Sequence, residues 1–330
     1  MTRYLIRRLL SAFTIIVVVS IVTFFIFFAV PASPAVLACG KACTPDRIVE
    51  IKHSLGLDHS IFVQYADFVK GIFAGRTFGD GSLAVPCHAP CLGISFHDDS
   101  NVLDTLMNRL PADVSLAAGA AVIFLITGVG LGIAAAVRKG KGVDKFAVGF
   151  ALFGISLPIY FTALVLQYFF VDKLQWLPSP NYTPITTDPG QWFEGLLLPW
   201  ASLVIGYLAF YTRLTRSNML ETMGEDFVRT ARAKGLSQRS VIFKHALRAA
   251  ITPIVTIFGM DFGALVGGAA VITESVFGIP GIGALAVQSV ENSDLPVIMA
   301  TTLFAAVAVV LANVVVDVVY GIIDPRVRLA

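Results

Sequence analysis

The feature that most constrains this chain is a series of apolar runs, each long enough to cross a lipid bilayer. A hydrocarbon core about 30 Å thick needs about 20 mostly apolar residues per crossing helix. The mean hydropathy of +0.79 exceeds what a soluble domain needs. We therefore predict an all-α integral membrane protein surrounded by lipid. Six spans are predicted: Leu9–Val30, Val114–Val137, Phe146–Val171, Leu196–Tyr211, Ile251–Ile272 and Val297–Ile323.

The distribution of positive charge predicts the orientation of these spans. Most Lys and Arg residues lie before the first span, in the second-to-third and fourth-to-fifth connections, and after the sixth span. Because cytoplasmic connections carry this excess, both termini are predicted to be cytoplasmic. A cleaved signal peptide is the alternative for the first run, although its apolar core would be shorter. The net charge of only +2 gives no support to nucleic-acid binding.

The spans divide the chain into four predicted parts. These are the N-terminus with the first span (1–30), an extracytoplasmic domain (31–112), a five-helix core (113–323) and a cytoplasmic tail (324–330). The core contains a cytoplasmic loop over residues 213–250.

That loop has an ordered pattern of charge. Acidic Glu225 and Asp226 precede basic Arg229 and Arg232, the order that suits a helix dipole. Gly235 then ends the helix and predicts a backbone corner with positive φ.

A second amphipathic helix is predicted after the corner. Ser237 is placed to cap it, and Phe243, Leu247 and Ile251 fall on one face at helical spacing. The sequence thus predicts two short helices held at the membrane surface.

Residues Asp226–Gly235 (DFVRTARAKG) and His245–Arg248 (HALR) resemble the cytoplasmic loop of the dipeptide, oligopeptide and nickel permease family of ABC importers. Arg229 and Thr230 replace the first two residues of the generic Glu-Ala-Ala-x-x-x-Gly pattern of ABC-importer permeases. Further similar segments extend over nearly the whole chain: MTRYLIRRL, typical of the first ("B") subunit, TPDRI with LGLD, ESVFGIPGIG and DPRVR.

The resemblance implies a type I ABC-importer permease fold, in which this loop couples the spans to an ATPase. It implies a heterodimer with a second permease, two ATPase subunits that bind ATP and Mg, and an extracytoplasmic substrate-binding protein. This chain itself would hold no cofactor. The cargo would be di- or oligopeptides, with nickel complexes as the alternative. The implied coupling residues are Glu225, Asp226, Phe227, Arg229, Thr230, Ala231, Arg232, Ala233 and Gly235. Ala231 and Ala233 are small, which suits a helix lying in a partner's groove.

All four cysteines lie in the outer segment, in two C-x-x-x-C pairs: Cys39, Cys43, Cys87 and Cys91. Disulfides are expected outside the cytoplasmic membrane, and the spacing leaves all three pairings open. A metal site with the histidines of this segment is the alternative, although C-x-x-x-C is not a tight zinc spacing. We therefore predict disulfides and no metal.

Two aspartates lie inside spans, Asp261 and Asp317. Ionisable groups in lipid face a bundle interior or a wet pathway, so both are candidates for lining a translocation path. A contact between helices is the alternative for each.

Glycines recur four residues apart in the second and fifth spans, which predicts close helix packing, either within the chain or against a partner permease. After the fifth span, ESVFGIPGIG predicts a compact re-entrant corner on the outer side.

No G-x-x-x-x-G-K-[ST] phosphate loop, H-E-x-x-H or nucleophile elbow occurs in the sequence. We therefore predict a non-catalytic subunit whose energy comes from partner subunits. A secondary transporter, expected to show inverted repeats and paired broken helices, is the main rival. A membrane-anchored structural or sensor protein is another.

Overall fold

The computed structural model describes residues 2–29, 35–36, 44–54, 57–78 and 85–323. Cys39, Cys43 and the predicted tail 324–330 lie outside these ranges. The named elements are α1 (Thr2–Ala29), α2 (Pro45–Ser54), α3 (Ile61–Ala74), β1 (Arg76–Phe78), β2 (Val85–Cys87), α4 (Val102–Val137), α5 (Gly142–Ser156), α6 (Ile159–Lys173), α7 (Pro189–Gly224), α8 (Asp226–Ala233), α9 (Gln238–Ala269), α10 (Val271–Phe277), α11 (Ile282–Glu291) and α12 (Leu295–Ile323).

Within the described part of the chain, five of these helices are long and apolar enough to cross a membrane: α1, α4, α7, α9 and α12. Two further helix pairs pass the same test only together. The pair α5–α6 is bent by 95° and the pair α10–α11 by 82°. The fold is therefore an all-α membrane bundle, as predicted.

Contacts between distant residues show which helix ends lie together. Arg8 on α1 pairs with Asp317 on α12, with 3.1 Å between Nε and Oδ2. At the opposite end, Asp294 before α12 accepts a hydrogen bond from Ser95 of the outer segment. Six crossings result if α5–α6 is one broken span and α10–α11 turns back on the outer side. This arrangement agrees with the predicted sidedness of the termini.

The third predicted span, Phe146–Val171, is not one straight helix. α5 ends at Ser156, and α6 begins at Ile159 in a different direction. Pro158 has no amide hydrogen, and its ring favours an extended conformation for Leu157, which has φ −84° and ψ 123°. The apolar run predicted the span but not its break, because both halves are equally apolar.

The fourth span is much longer than the predicted Leu196–Tyr211. Asp188 caps α7 by accepting two N–H groups of its first turn at 2.9 and 3.1 Å, and Pro189 opens the helix. The helix then continues without interruption to Gly224. The irregular part of the cytoplasmic loop therefore begins at Glu225 rather than at residue 213.

The glycines that recur four residues apart form close helix contacts inside the chain. On α9, a Cβ added to Gly263 would lie 2.6 Å from Cβ of Ala312 on α12. On α4, a Cβ added to Gly132 would lie 2.6 Å from Cβ of Thr215 on α7. Residues of α12 and α7 pack directly against these glycines. The glycines therefore form helix contacts within the chain and do not face a partner permease.

The outer segment packs on the ends of the membrane helices. Phe68 of α3 is buried among Phe24 of α1 and Met299 and Leu303 of α12. The Phe24 and Phe68 ring centroids are 5.6 Å apart. β1 and β2 form an antiparallel hairpin beside this cluster.

Candidate functional site

The cytoplasmic loop folds as predicted into a short helix followed by a glycine corner. α8 begins after Glu225, which is extended with φ −69° and ψ 150°. Val228 and Ala231 of α8 are buried. They pack in a small cluster with residues of α4, α7 and α9: Ala136, Met219, Val241, Ile242, Ala246 and Ala250. Two side chains therefore hold α8 against the ends of three spans.

The opposite side of α8 is exposed, and it carries most of the predicted coupling residues. The exposed residues are Glu225, Asp226, Phe227, Arg229, Thr230, Arg232, Ala233 and Gly235. Phe227 is 47% exposed, so this face of α8 also presents apolar area among its charges. The prediction that Ala231 lies in a partner's groove is corrected, because Ala231 is only 6% exposed and contacts its own chain. Of the two alanines predicted to lie in a partner's groove, only Ala233 is accessible.

Gly235 forms the corner after α8. Its φ is +76°, the left-handed region that favours glycine, and a Cβ there would meet nothing within 4 Å. The Leu236 N–H reaches back to the Ala231 carbonyl at 3.4 Å. Ser237 then accepts the Ser240 N–H at 3.4 Å, the predicted cap of the next helix.

The second predicted helix of the loop is the first part of the fifth span. α9 runs continuously from Gln238 through the membrane. Its buried face carries Ile242, Ala246 and Ala250, whereas Phe243 is 57% exposed. The face of Phe243, Leu247 and Ile251 is thus not the one that packs most deeply, and its role at the membrane surface stays a prediction. The turn over residues 241–246 is a π-helix, whose wider hydrogen-bonding pattern displaces the side chains from ideal α-helical spacing.

Charged contacts differ between the surface of the loop and its base. On α8, Arg229 and Asp226 form an exposed pair at 3.4 Å. At the base, Arg216 of α7 binds Asp144 of α5 through two hydrogen bonds, one of 3.1 Å. Asp144 also accepts the Gly140 N–H at 2.8 Å. This ion pair thus joins the cytoplasmic ends of α5 and α7, while α8 presents its charges to solvent.

Asp261 lines a cavity of about 370 Å³ within the spans. The cavity lies at the break between α5 and α6 and against α7 and α9. Tyr211 of α7 donates its hydroxyl to Oδ2 of Asp261 at 2.8 Å. Asp261 therefore makes the contact between helices that was one alternative, and it also faces a cavity; its place in a translocation path stays a prediction.

Asp317 lies elsewhere. It forms the ion pair with Arg8 at the cytoplasmic ends of α12 and α1. The structure does not bring it to the cavity of Asp261. Its placement favours the alternative of a contact between helices over a place in a translocation path.

The outer corner contains a buried acidic pair that the sequence interpretation missed. Asp113 of α4 accepts the Ile282 N–H at 2.8 Å, and Glu274 of α10 accepts the Ala284 N–H at 2.7 Å. Both carboxyl groups are at most 1% exposed. In the sequence, Glu274 is the first residue of ESVFGIPGIG, and Asp113 precedes the first residue of the predicted second span by one position. The position of an acidic residue directly before an apolar run is the sequence signal that could have identified Asp113.

The described part of the outer domain contains one of the predicted disulfides. Cys87 and Cys91 are bonded within the second C-x-x-x-C pair. This bond removes both thiols from the donor set of the alternative metal site. The sequence left the partners of these two cysteines open, and the structure shows that they are bonded to each other.

Arg76 lines a second cavity, of about 390 Å³, between the outer domain and the ends of α1 and α12. Its guanidinium lies 4.0 Å from the centre of the Phe78 ring. Burial lowers the pKa of Arg76 to about 10, and nearby Asp67 opposes that shift. Arg76 remains charged at neutral pH.

Sequence comparison identifies relatives over the full length of the chain. Residues 1–117 match the family described as the N-terminal part of binding-protein-dependent transport system membrane components, and residues 128–329 match the inner membrane component family. The chain is 35% identical to a probable peptide ABC transporter permease, y4tP, of Sinorhizobium fredii, over 98% of this chain and 99% of the relative. It is 31% identical to the dipeptide transport system permease DppB of Escherichia coli, over 99% of both chains.

A solved structure shares the fold. The inward-facing methionine ABC transporter MetNI contains a chain that superposes with a TM-score of 0.53 at 15% identity. The match covers 67% of this chain and 97% of that one.

Proposed function

Because the chain belongs to the family of binding-protein-dependent transport system inner membrane components, we propose that it is a permease subunit of a bacterial importer for dipeptides and oligopeptides. It is a multi-pass protein of the bacterial cytoplasmic membrane. The peptide cargo is supported by the relatives described as peptide and dipeptide permeases. Nickel complexes are the alternative cargo.

In this proposal the chain is non-catalytic and works within a complex. A second permease completes the path, two ATPase subunits bind ATP and Mg, and an extracytoplasmic binding protein delivers the cargo. The absence of a phosphate-binding loop from the sequence supports an external energy source.

The observation that carries the proposal is the form of α8. It is a short helix, anchored on one side by Val228 and Ala231 and open on the other. Such a helix offers a compact surface for an ATPase groove while remaining fixed to the spans. Exposed Phe227 supplies apolar area and Arg229 and Arg232 supply charge, the combination found at protein interfaces.

α9 is positioned to carry motion from this surface into the membrane. It contains 32 residues, which correspond to about 48 Å at 1.5 Å per residue, and its kink at Gly268 lies beyond Asp261, near the outer end. It begins three residues after Gly235 and later passes Asp261. A rigid-body movement at its cytoplasmic end would therefore displace one wall of the membrane cavity.

A pair of tryptophan substitutions tests the docking surface. Ala233→Trp adds bulk to the exposed face of α8, so we expect a normally folded permease that loses ATPase binding and ATP-driven uptake. Ala231→Trp adds bulk to the buried face and should instead lower the thermal stability of the permease. Ala66→Trp, at an exposed position of outer helix α3, is the control. Normal ATPase binding and uptake by Ala233→Trp would overturn the docking role of α8.

The cargo is tested in proteoliposomes that contain the whole complex and the binding protein. We expect uptake of radiolabelled dialanine that requires ATP. ATP-dependent uptake of nickel complexes without uptake of dialanine would favour the alternative cargo.

One observation bears on the secondary-transporter rival. The structure contains two bent helix pairs, the feature expected of such transporters. Only α5–α6 lies at the membrane cavity, whereas α10–α11 is packed at the outer face around Asp113 and Glu274. Uptake driven by an ion gradient without ATP would instead support a secondary transporter.

A further inference from the structure

The cavity at the break of the third span is lined by a few polar residues, among them the carboxyl group of Asp261. Its volume of about 370 Å³ lies in the range of small-molecule sites. Among the described residues that line it, Asp261 is the only charged one. The remaining walls are mostly apolar side chains of α5, α6 and α7.

Asp261 is directed to the cavity by the packing of α9. Gly259 and Gly263, two residues before and after it, lie against α12. Two residues correspond to about 200° of rotation around an α-helix, so Asp261 projects from the opposite side of α9. The glycine seam thereby fixes the direction of the carboxylate.

One carboxylate oxygen is held and the other is available. Tyr211 donates to Oδ2, which positions the group. No side chain or N–H group from the described part of the chain donates to Oδ1. The carboxylate is therefore oriented by the protein without being neutralised by a cation of the protein.

The hydroxyl groups of the cavity also present acceptors. Thr162 uses its hydrogen on the Ile159 carbonyl at 2.9 Å, and Ser202 uses its hydrogen on the Pro199 carbonyl at 2.8 Å. The Thr162 oxygen can still accept at the cavity wall, whereas Ser202 is only 1% exposed and the hydroxyl of Tyr207, which also lines the cavity, can donate.

The end of α5 adds negative potential. α5 stops at Ser156, and Gly154, Ile155 and Leu157 at this end line the cavity. The C-terminal end of a helix carries a partial negative charge and unpaired carbonyl oxygens. The break at Pro158 also brings the first turn of α6, with Ile159 and Thr162, to this space, so N–H donors as well as carbonyl acceptors lie beside Asp261.

We propose that this cavity is a subsite for a protonated primary amine, bound by Asp261 and the carbonyl groups at the end of α5. An ammonium group has three donors and no acceptor, which matches the carboxylate oxygens of Asp261 and the carbonyl oxygens at the end of α5. Resting on the proposed function, the inference assigns the site to the N-terminal ammonium of a peptide in transit. The volume fits an organic group better than a bare monovalent metal ion.

Binding to the whole transporter complex in nanodiscs, without the binding protein, tests the site. Tritiated dialanine is the probe, with unlabelled dialanine, N-acetyl-dialanine and KCl as competitors. We expect competition by dialanine, at least tenfold weaker competition by N-acetyl-dialanine, and none by KCl at matched ionic strength. An ion-pairing hydrogen bond of the usual strength accounts for a tenfold difference.

Matched variants assign the effect to the carboxylate. Asp261→Asn keeps the shape and the Tyr211 bond, and it should weaken dialanine binding at least tenfold. Asp261→Glu should restore part of it. Asp317→Asn, which changes a span aspartate outside the cavity, should bind as the wild type does. Complex assembly is checked by size-exclusion chromatography for each variant.

Several outcomes would overturn the site. They are equal competition by N-acetyl-dialanine, effective competition by KCl, unchanged binding by Asp261→Asn, or no dialanine binding to the wild type. ATP-driven dialanine uptake in proteoliposomes is measured in parallel. Uptake by the wild type together with any of these outcomes leaves the proposed function intact and removes only the subsite.

Discussion

Two glycine-containing corners join helices at opposite ends of the molecule, and their surroundings differ. At the outer corner, a Cβ on Gly281 would overlap the Glu274 carboxyl group, and one on Gly283 would overlap the Gly268 carbonyl. Gly281 has an ordinary φ of −93°. At the cytoplasmic corner, Gly235 has φ +76° and open space around it. The outer corner needs the small size of glycine at Gly281 and Gly283 and its conformational freedom at Gly278, which has φ +66° and open space around it. The cytoplasmic corner needs only the conformational freedom of Gly235.

The difference teaches what each corner does. The outer corner is closed by the chain itself, with buried carboxyl groups of Asp113 and Glu274 accepting its N–H groups. The cytoplasmic corner is closed only by local backbone and leaves α8 exposed. A closed corner stabilises the fold, whereas an exposed one is available to a partner. Substitutions at the two corners should therefore affect different measurements.

The largest effect is expected from Gly283→Ala. Its new Cβ would meet the Gly268 carbonyl and lie 2.9 Å from Cα of Val271, both of which are backbone atoms. We expect a loss of about 3 kcal/mol in the free energy of unfolding, measured by thermal unfolding in detergent. Gly149→Ala on α5, where a Cβ meets nothing within 4 Å, is the control and should not destabilise the protein. Equal melting temperatures for the two variants would show that the outer corner is not closed.

Asp113→Leu should be the next most harmful change. It removes the acceptor of the buried Ile282 N–H, for which we expect a loss of about 2 kcal/mol in unfolding free energy. Asp113→Asn keeps an acceptor oxygen and should cost less. Asp104→Leu, at an exposed position of α4, is the matched control in the same thermal assay. A melting temperature for Asp113→Leu equal to that of the control would argue that the corner does not depend on this carboxyl group.

Gly235→Val should cost about 1–2 kcal/mol, because a β-branched residue is strained at positive φ. The strain is local, so we expect α8 to shift and ATP-driven uptake to fall while the spans remain folded. Gly235→Asn tolerates this conformation and should retain most uptake. Proteoliposome uptake and proteolysis of the loop measure the two effects. If Asn is as harmful as Val, space rather than φ limits this corner, and the contrast with the outer corner fails.

The smallest effect is expected from Arg229→Ala. The pair with Asp226 is exposed, with 71% and 96% of the two side chains accessible. Such pairs contribute about 0.5 kcal/mol or less, so the melting temperature should hardly change. A large loss of thermal stability would show that α8 is held by its charges and not by Val228 and Ala231.

The sequence determined those features that depend on residues close together in the chain. Apolar runs predicted where helices cross the membrane, because lipid requires long apolar segments irrespective of their neighbours. Gly235 predicted the corner and Ser237 the next helix start, since both act through nearby backbone. The identity of the coupling segment came from its residue order, DFVRTARAKG, which is also local.

Only the tertiary structure decided which distant groups meet. Ala231 and Ala233 are equivalent in the sequence, but packing against α7 and α9 buries the first and leaves the second exposed. Asp261 and Asp317 are also alike in the sequence, and helix arrangement gives one a cavity and the other Arg8. Asp113 and Glu274 are far apart in the chain and close together at one corner. The physical reason is that burial and hydrogen bonding depend on which helices are neighbours, and that choice is made by the packing of the whole bundle.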